Sequence, residues 1–307
     1  MFFVHQIIFF YETSLNQIIL LESENLRPPA VMQGVFFLSL TAYSGDMNIR
    51  YIDMHSHLNI SPLYEKRAAI VATMREEGIV TITVGTDVAM SKKAIEISEE
   101  FPGVSFATVG LHPNDNADEV FDMGAYEKLA AHERVVAIGE CGLDYFRNQD
   151  ADMKSRQKEL FIQHIRLAEK TNKPLMIHAR PSKGSMDAYE DVCTILTESK
   201  TTAHAHFHFY VGTIDMTEKL LTLGATFSFD GPITFSSDYD EVIQYLPLDR
   251  IMAETDAPFA APLSHRGKTC EPWMVKEIVA HIARIKHLDE EEVRLATVAN
   301  AKQIFGI

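Results

Sequence analysis

Cysteine is scarce in this chain. Cys141, Cys193 and Cys270 are the only three, and no two stand at C-x-x-C spacing. That pattern argues against a disulfide framework and against a cysteine zinc site. It fits a reducing compartment, so a cytoplasmic location is expected. Positive charge is also short, with 28 Lys and Arg against 43 Asp and Glu and a net charge of −15. A protein that holds long duplex DNA by surface charge is normally basic. A nucleic-acid substrate would therefore need bound cations and a local patch to offset this field. Nowhere does an apolar run reach the roughly 20 residues of a membrane span, and no basic segment precedes the first apolar run as in a secretory signal. No membrane partner is expected. Low-complexity tracts and short internal repeats are missing too, which removes solenoids and disordered tails.

What is present is the balance of a protein with a real core: 46% apolar and 23% charged residues in a chain of 307. That length suits one large barrel or two ordinary domains. Residues 1–46 differ in kind from the rest. Phe2-Phe3-Val4 and Ile7-Ile8-Phe9-Phe10 are apolar, but Glu12, Asn16 and Gln17 interrupt them, and a second run from Val31 to Tyr43 follows Arg27-Pro28-Pro29. Met47 then opens a segment that reads as an ordinary protein start. Residues 1–46 are expected to lie outside the functional fold, as an extension from an upstream start. The rival is a docking or membrane-associated extension.

From Met47 onward, short runs rich in Val, Ile, Thr and Phe alternate with longer helical patterns. The strands are predicted at residues 50–54, 80–84, 104–109, 135–138, 174–177, 202–207, 225–229 and 250–253. Between them, Phe161, Ile165 and Ala168 share one helical face, as do Val275, Ile278, Val279 and Ile282, with Pro272 near the start of that helix. Eight such alternations over about 260 residues predict an α/β fold of the TIM type, a (β/α)8 barrel. A doubly wound open sheet is the alternative, but it would normally carry a Gly-rich phosphate loop after an early strand, and none is found.

The residues able to do chemistry gather at the C-terminal ends of the predicted strands, where barrel enzymes build their sites. Strand one ends in Asp53-Met54-His55-Ser56-His57. Residues two apart on a strand point the same way, so His55 and His57 could share one metal ion. Strand four leads into Gly139-Glu140-Cys141-Gly142-Leu143-Asp144, where Glu140 sits between glycines and can approach an ion or simply face solvent. Strand five ends in Ile177-His178-Ala179-Arg180. His178 lies at the same level as the others, and Arg180 could hold a phosphate or pair with a carboxylate. Strand eight runs into Glu254-Thr255-Asp256-Ala257-Pro258, where Asp256 is a ligand, a general base or a turn residue. Strand six is ambiguous, because His204, His206 and His208 alternate along it. By position His208 is the best ligand candidate, with His204 and His206 packed along the barrel.

Histidine nitrogens with carboxylates suit Zn, Mn, Fe or Ni better than Ca, with Mg less comfortable. Four histidines and two carboxylates exceed the needs of one four-coordinate ion. Two divalent ions (Mg, Mn or Zn) bridged by Glu140 and a hydroxide account for the surplus, and such a pair suits attack on a phosphodiester or a polarised carbonyl.

Taken together, these segments resemble the TatD-type metal-dependent deoxyribonucleases, members of the amidohydrolase-like barrels. The resemblance runs from about residue 50 to the end. It rests on Asp53-Met54-His55-Ser56-His57, Val109-Gly110-Leu111-His112-Pro113, Gly139 to Tyr145, Ile177 to Arg180, His208 with Gly212, Glu254 to Pro258, and Arg266-Gly267-Lys268 before Glu271-Pro272. It implies metal ligands at His55, His57, Glu140, His178, His208 and Asp256. Glu140 would bridge the ions, and Asp256 would bind one while orienting the water. It selects His208 on strand six, and it implies that His112 and Arg180 lie near the substrate phosphate. The implied activity is hydrolysis of ester bonds in DNA by a metal-activated water, 3'-5' exonuclease-like, on single-stranded or nicked ends. A monomer is compatible with the sequence. Asn114, Pro181, Phe209 and Tyr210 depart from the family's usual residues, which bears on substrate preference more than on metal binding. Two alternatives stand beside this one. Related barrels hydrolyse amides, cyclic amides or aminoacyl esters, many with a carboxylated lysine where Glu140 stands here. A non-catalytic barrel would be expected to have lost a ligand, and all six are intact.

Overall fold

The computed structural model describes residues 48–114 and 120–307. The extension expected at residues 1–46 lies outside the described residues. Eight parallel strands pair strictly in sequence order, β1 (Tyr51–Ser56), β2 (Ile79–Thr83), β3 (Ser105–Val109), β4 (Val135–Asp144), β5 (Leu175–Arg180), β6 (Ala205–Phe207), β7 (Thr226–Phe229) and β8 (Ile251–Ala253). That order belongs to a (β/α)8 barrel and excludes the doubly wound sheet, whose strand order reverses part-way. The seam between first and last strands is drawn together just past β8: Asp256 N–H donates to the His55 carbonyl at 2.9 Å, and His57 N–H to the Ala257 carbonyl at 2.7 Å.

Outer helices follow the strands, from α1 (Leu63–Glu77), α2 (Val88–Glu100), α3 (Met123–Ala130) and α4 (Ala151–Thr171) to α5 (Asp187–Ser199), α6 (Ile214–Thr222), α7 (Asp240–Tyr245), α8 (Val275–Lys286) and α9 (Glu290–Phe305). Their starts are written locally. Asp87, Asp150, Thr213 and Asp289 each accept a first-turn N–H on a side-chain oxygen, which satisfies donors a helix start otherwise leaves open. The predicted apolar faces are the buried ones: Phe161, Ile165 and Ala168 on α4, and Val275, Ile278, Val279 and Ile282 on α8.

Inside the barrel, Ile52, Met54, Val80, Ile82, Met176 and Met252 join Val298, Ala301 and Phe305 of α9 in one apolar cluster. The Asn300 amide on α9 donates to the carbonyls of Leu248 and Ile251 at 2.9 and 2.8 Å, and Arg294 donates to the Arg50 carbonyl at 2.7 Å. Helix α9 therefore seals the end where β1 and β8 begin, and the strands' C-terminal ends form the other mouth. Strand β4 is longer than the predicted 135–138, because pairing resumes beyond a register shift, with Cys141 opposite Ile177 and Asp144 opposite Arg180. Gly142 makes this possible. Its φ is +129°, and a Cβ there would stand 2.1 Å from the His178 carbonyl oxygen. No helix among the described residues is long and apolar enough to cross a membrane.

Candidate metal centre

Five strand ends, those of β1, β4, β5, β6 and β8, bring the six expected donors together. The β1 register shifts between Asp53 and Ser56, and beyond the shift the His55 and His57 rings meet with their Nε2 atoms 3.2 Å apart. His57 Nε2 lies 3.5 Å from Asp256 Oδ1 and His55 Nε2 3.7 Å from the same oxygen. Glu140 sits between two halves. Its Oε2 is 3.5 Å from His55 Nε2, and its Oε1 is 2.9 Å from both His178 Nδ1 and His208 Nε2. His178 Nδ1 and His208 Nε2 are themselves 3.2 Å apart. The donors thus form a His55–His57–Asp256 group and groups that share Glu140. His55, His57, Glu140 and His208 are all buried.

This set fits divalent ions. Separations of 2.9 to 3.7 Å match the edges of a coordination shell with bonds of roughly 2.1 Å, about 3.0 Å for an octahedron and about 3.4 Å for a tetrahedron. Imidazole nitrogens facing each other this closely are best satisfied by a cation between them. The electrostatics agree. Burial works against charge on Glu140, yet the His208 and His112 rings and hydrogen bonds from His178 and His208 hold it well below the usual carboxylate range. Burial likewise opposes charge on His208, but Glu140 outweighs it and lifts the ring well above its ordinary value. His57 is raised in the same way, against burial, by Asp256. Burial and the His208 charge lower His55. The pocket is built to hold positive charge.

Residues behind the donors fix their orientation. His178 Nε2 lies 3.2 Å from Asp144 Oδ2, which places its proton there and leaves the Nδ1 lone pair facing Glu140. The Asp144 backbone N–H donates to Gln157 at 2.9 Å, anchoring that strand end. Glu254 accepts from Phe209 N–H at 2.6 Å and from the Ser228 hydroxyl, and lies 3.5 Å from His208 Nδ1. Three of the non-glycine residues with positive φ, Phe209 (44°), Asp256 (50°) and Ala260 (49°), line this pocket. Such backbone costs energy and collects at functional sites.

The other predicted residues separate. His112 stands 3.5 Å from Glu140 Oε1, inside the donor cluster. Its Nδ1 accepts the Asn114 N–H at 3.2 Å, which leaves Nε2 as the nitrogen that faces Glu140 and groups it with Glu140 and His178. Arg180 lines the cleft, and among the described residues no carboxylate lies within ion-pair distance of it. His206 is buried between the hydroxyls of Thr226 and Ser228, 3.0 Å from each, and its ring meets Phe305. His204 bonds Thr226 at 2.9 Å. Both lie outside the cluster. Sequence reasoning carried Asp144 and Glu254 only as members of motifs, and passed over Arg147, which lines the cleft and lies 3.4 Å from Asp144. It also passed over Asp230, which directly follows β7 and is buried, with neither carboxylate oxygen hydrogen-bonded among the described residues. Above the donors opens a cavity of about 670 Å³ walled by Arg147, Arg180, Tyr239 and Phe259.

Residues 52–306 match the sequence profile of the family described as TatD related DNase. The chain belongs to that family. Within the TatD family, it is 37% identical over 260 residues to the uncharacterized metal-dependent hydrolase YabD of Bacillus subtilis, covering 83% of this chain and 98% of that one. The crystal structure of YjjV, a TatD homolog from Escherichia coli, superposes with a TM-score of 0.76 at 23% identity, over 84% of this chain and 98% of the other. A TatD family hydrolase from Entamoeba histolytica gives 0.74 at 21% identity, over 84% and 99%. These two likenesses speak to the fold. As a TatD family member, the chain is a metal-dependent hydrolase.

Proposed function

We propose that this TatD family member is a deoxyribonuclease that hydrolyses phosphodiester bonds at single-stranded or nicked DNA ends, in the manner of a 3'-5' exonuclease. The observation that carries the reading is the set of overlapping donor groups, two of which meet at Glu140, beneath a cleft that presents Arg147 and Arg180. His55, His57 and Asp256 with Glu140 would hold one divalent ion, and Glu140 with His178 and His208 a second. Bound there, the ions polarise a phosphoryl oxygen and lower the pKa of water.

The chain's own groups supply the rest. Glu140, Asp144, Glu254 and Asp256 crowd this end of the barrel with negative charge, so a phosphodiester approaches only when cations offset them. Asp256 is kept ionised by His57 and His55 in spite of burial, so it can accept a hydrogen bond from the attacking water and orient it. His112 presents Nε2–H and Arg180 its guanidinium fork to non-bridging phosphate oxygens, donors aimed where charge grows in the transition state. Asp144 and Glu254 hold the ligand rings and loop in place behind them.

The test is hydrolysis of an end-labelled single-stranded oligonucleotide by protein loaded with Mn²⁺ or Mg²⁺. Cleavage that stops with chelator and with Glu140→Gln is expected. A loaded protein that opens cyclic amides and leaves the oligonucleotide intact would replace this reading with amidohydrolase chemistry.

A further inference from the structure

The metal cleft does not end at Arg180. A second cleft of about 540 Å³ lies beside it and shares Arg180 and Val211 with the first. Its rim is Phe146, two residues past Asp144, and its far wall is the segment after β5 that carries Lys183 and Ser185. Phe146 is 47% exposed, so one face of its ring is open to a ligand. The Arg180 guanidinium carbon stands 4.3 Å from the centre of that ring. Among the described residues the Arg180 side chain makes no hydrogen bond or ion pair, whereas nearby cations are committed: Lys154 to Asp187 at 2.9 Å and Lys158 to Asp191 at 2.7 Å. The wall is fixed before any ligand arrives, because Asp187 accepts from Ser182 N–H at 2.8 Å and from Lys154, and these contacts hold its carboxyl down at about 2 despite burial. The cleft thus offers a stacking face, an oriented guanidinium with its donors uncommitted, and a further cation in Lys183. In a chain of net charge −15 that grouping is conspicuous.

We propose that this second cleft is a nucleotide subsite for single-stranded DNA. The base beside the scissile linkage stacks on Phe146, and its phosphate lies in the Arg180 fork between the two clefts. A base paired in a duplex cannot reach the ring, so the subsite selects single strands and frayed ends. This rests on the nuclease reading of the metal centre.

The experiment compares hexathymidylate with the same strand carrying an abasic residue next to the terminal linkage, using Mn²⁺-loaded wild type, Phe146→Ala and Phe146→Trp. Wild type and Phe146→Trp are expected to cleave the intact strand about 5- to 100-fold better in kcat/KM than the abasic one, the range of a single base–aromatic stack. Phe146→Ala should lose that preference and cleave the two strands alike. If Phe146→Ala keeps the preference, the subsite is wrong and the nuclease reading stands. If wild type cleaves neither strand, the nuclease reading fails. Fluorescence anisotropy of the two labelled strands on the same proteins then decides the subsite: weaker binding of the intact strand by Phe146→Ala supports it, and equal or absent binding overturns it.

Discussion

His164 on α4 is buried and holds the loop that carries His112. Its Nε2 accepts the Leu111 N–H at 2.9 Å and its Nδ1 bonds the Leu160 carbonyl at 2.9 Å. A ring used this way is neutral, and burial pushes its pKa from 6.5 down to about 4. The unfolded chain takes up a proton near pH 6.5 that the folded chain resists until about 4, so His164 contributes its full stability above 6.5 and loses it as the pH falls. The whole gap is worth about 3 kcal/mol, of which about 2 kcal/mol is already lost at pH 5. The perturbation is His164→Gln, whose amide can replace one hydrogen bond without titrating. The assay is urea unfolding in excess chelator at pH 8, 6.5, 5.5 and 5, followed by circular dichroism. His204 is also held down near 4 by burial, and it is present in both proteins, so it cancels in the comparison. The variant should be less stable than wild type at pH 8, and the difference should shrink by about 2 kcal/mol on going to pH 5. Parallel stability curves for the two proteins would refute the reasoning.

Other outcomes follow from the site and its supports. Asp144→Asn should weaken metal binding by about 10- to 100-fold, since it orients a ligand ring rather than supplying a donor; calorimetric titration with Mn²⁺ reads this, and an unchanged affinity would remove Asp144 from that role. Gly142→Ala places a Cβ 2.1 Å from the His178 carbonyl at a φ of +129°, so it should destabilise the fold by about 2 to 4 kcal/mol, seen as a lower denaturation midpoint. Oligonucleotide affinity should depend only gently on salt. Two phosphate contacts, by Arg147 and Arg180, give a log–log slope of about −1.4, and a slope several times steeper would mean a broad basic surface instead.

The alternation of strands and helices was legible because each strand carries its β-rich run and each helix its apolar face. The spacing of His55 and His57 gave two donors directly, since neighbours two apart share a side of a strand. Strand six shows where local pattern stops: His204, His206 and His208 look alike in sequence. Position and family resemblance favoured His208, and pairing with β7 gives the physical reason: Thr226 and Ser228 take the two ring nitrogens of His206, while His208 reaches Glu140. Asp144 was invisible as a support because its role depends on β4 running on past its predicted end, which sets it beside His178. Phe146 carries no signal at all in one sequence. Its exposure and its contact with Arg180 exist only once two strand ends are neighbours.

The most direct test of the account is activity on a single-stranded oligonucleotide measured against Mn²⁺ equivalents added to metal-free protein. Two ions sharing Glu140 predict that cleavage rises to a plateau at two equivalents per chain, and that Glu140→Gln is inactive at every ratio. A plateau at one equivalent, or a Glu140→Gln protein with wild-type activity, would contradict the shared two-ion centre.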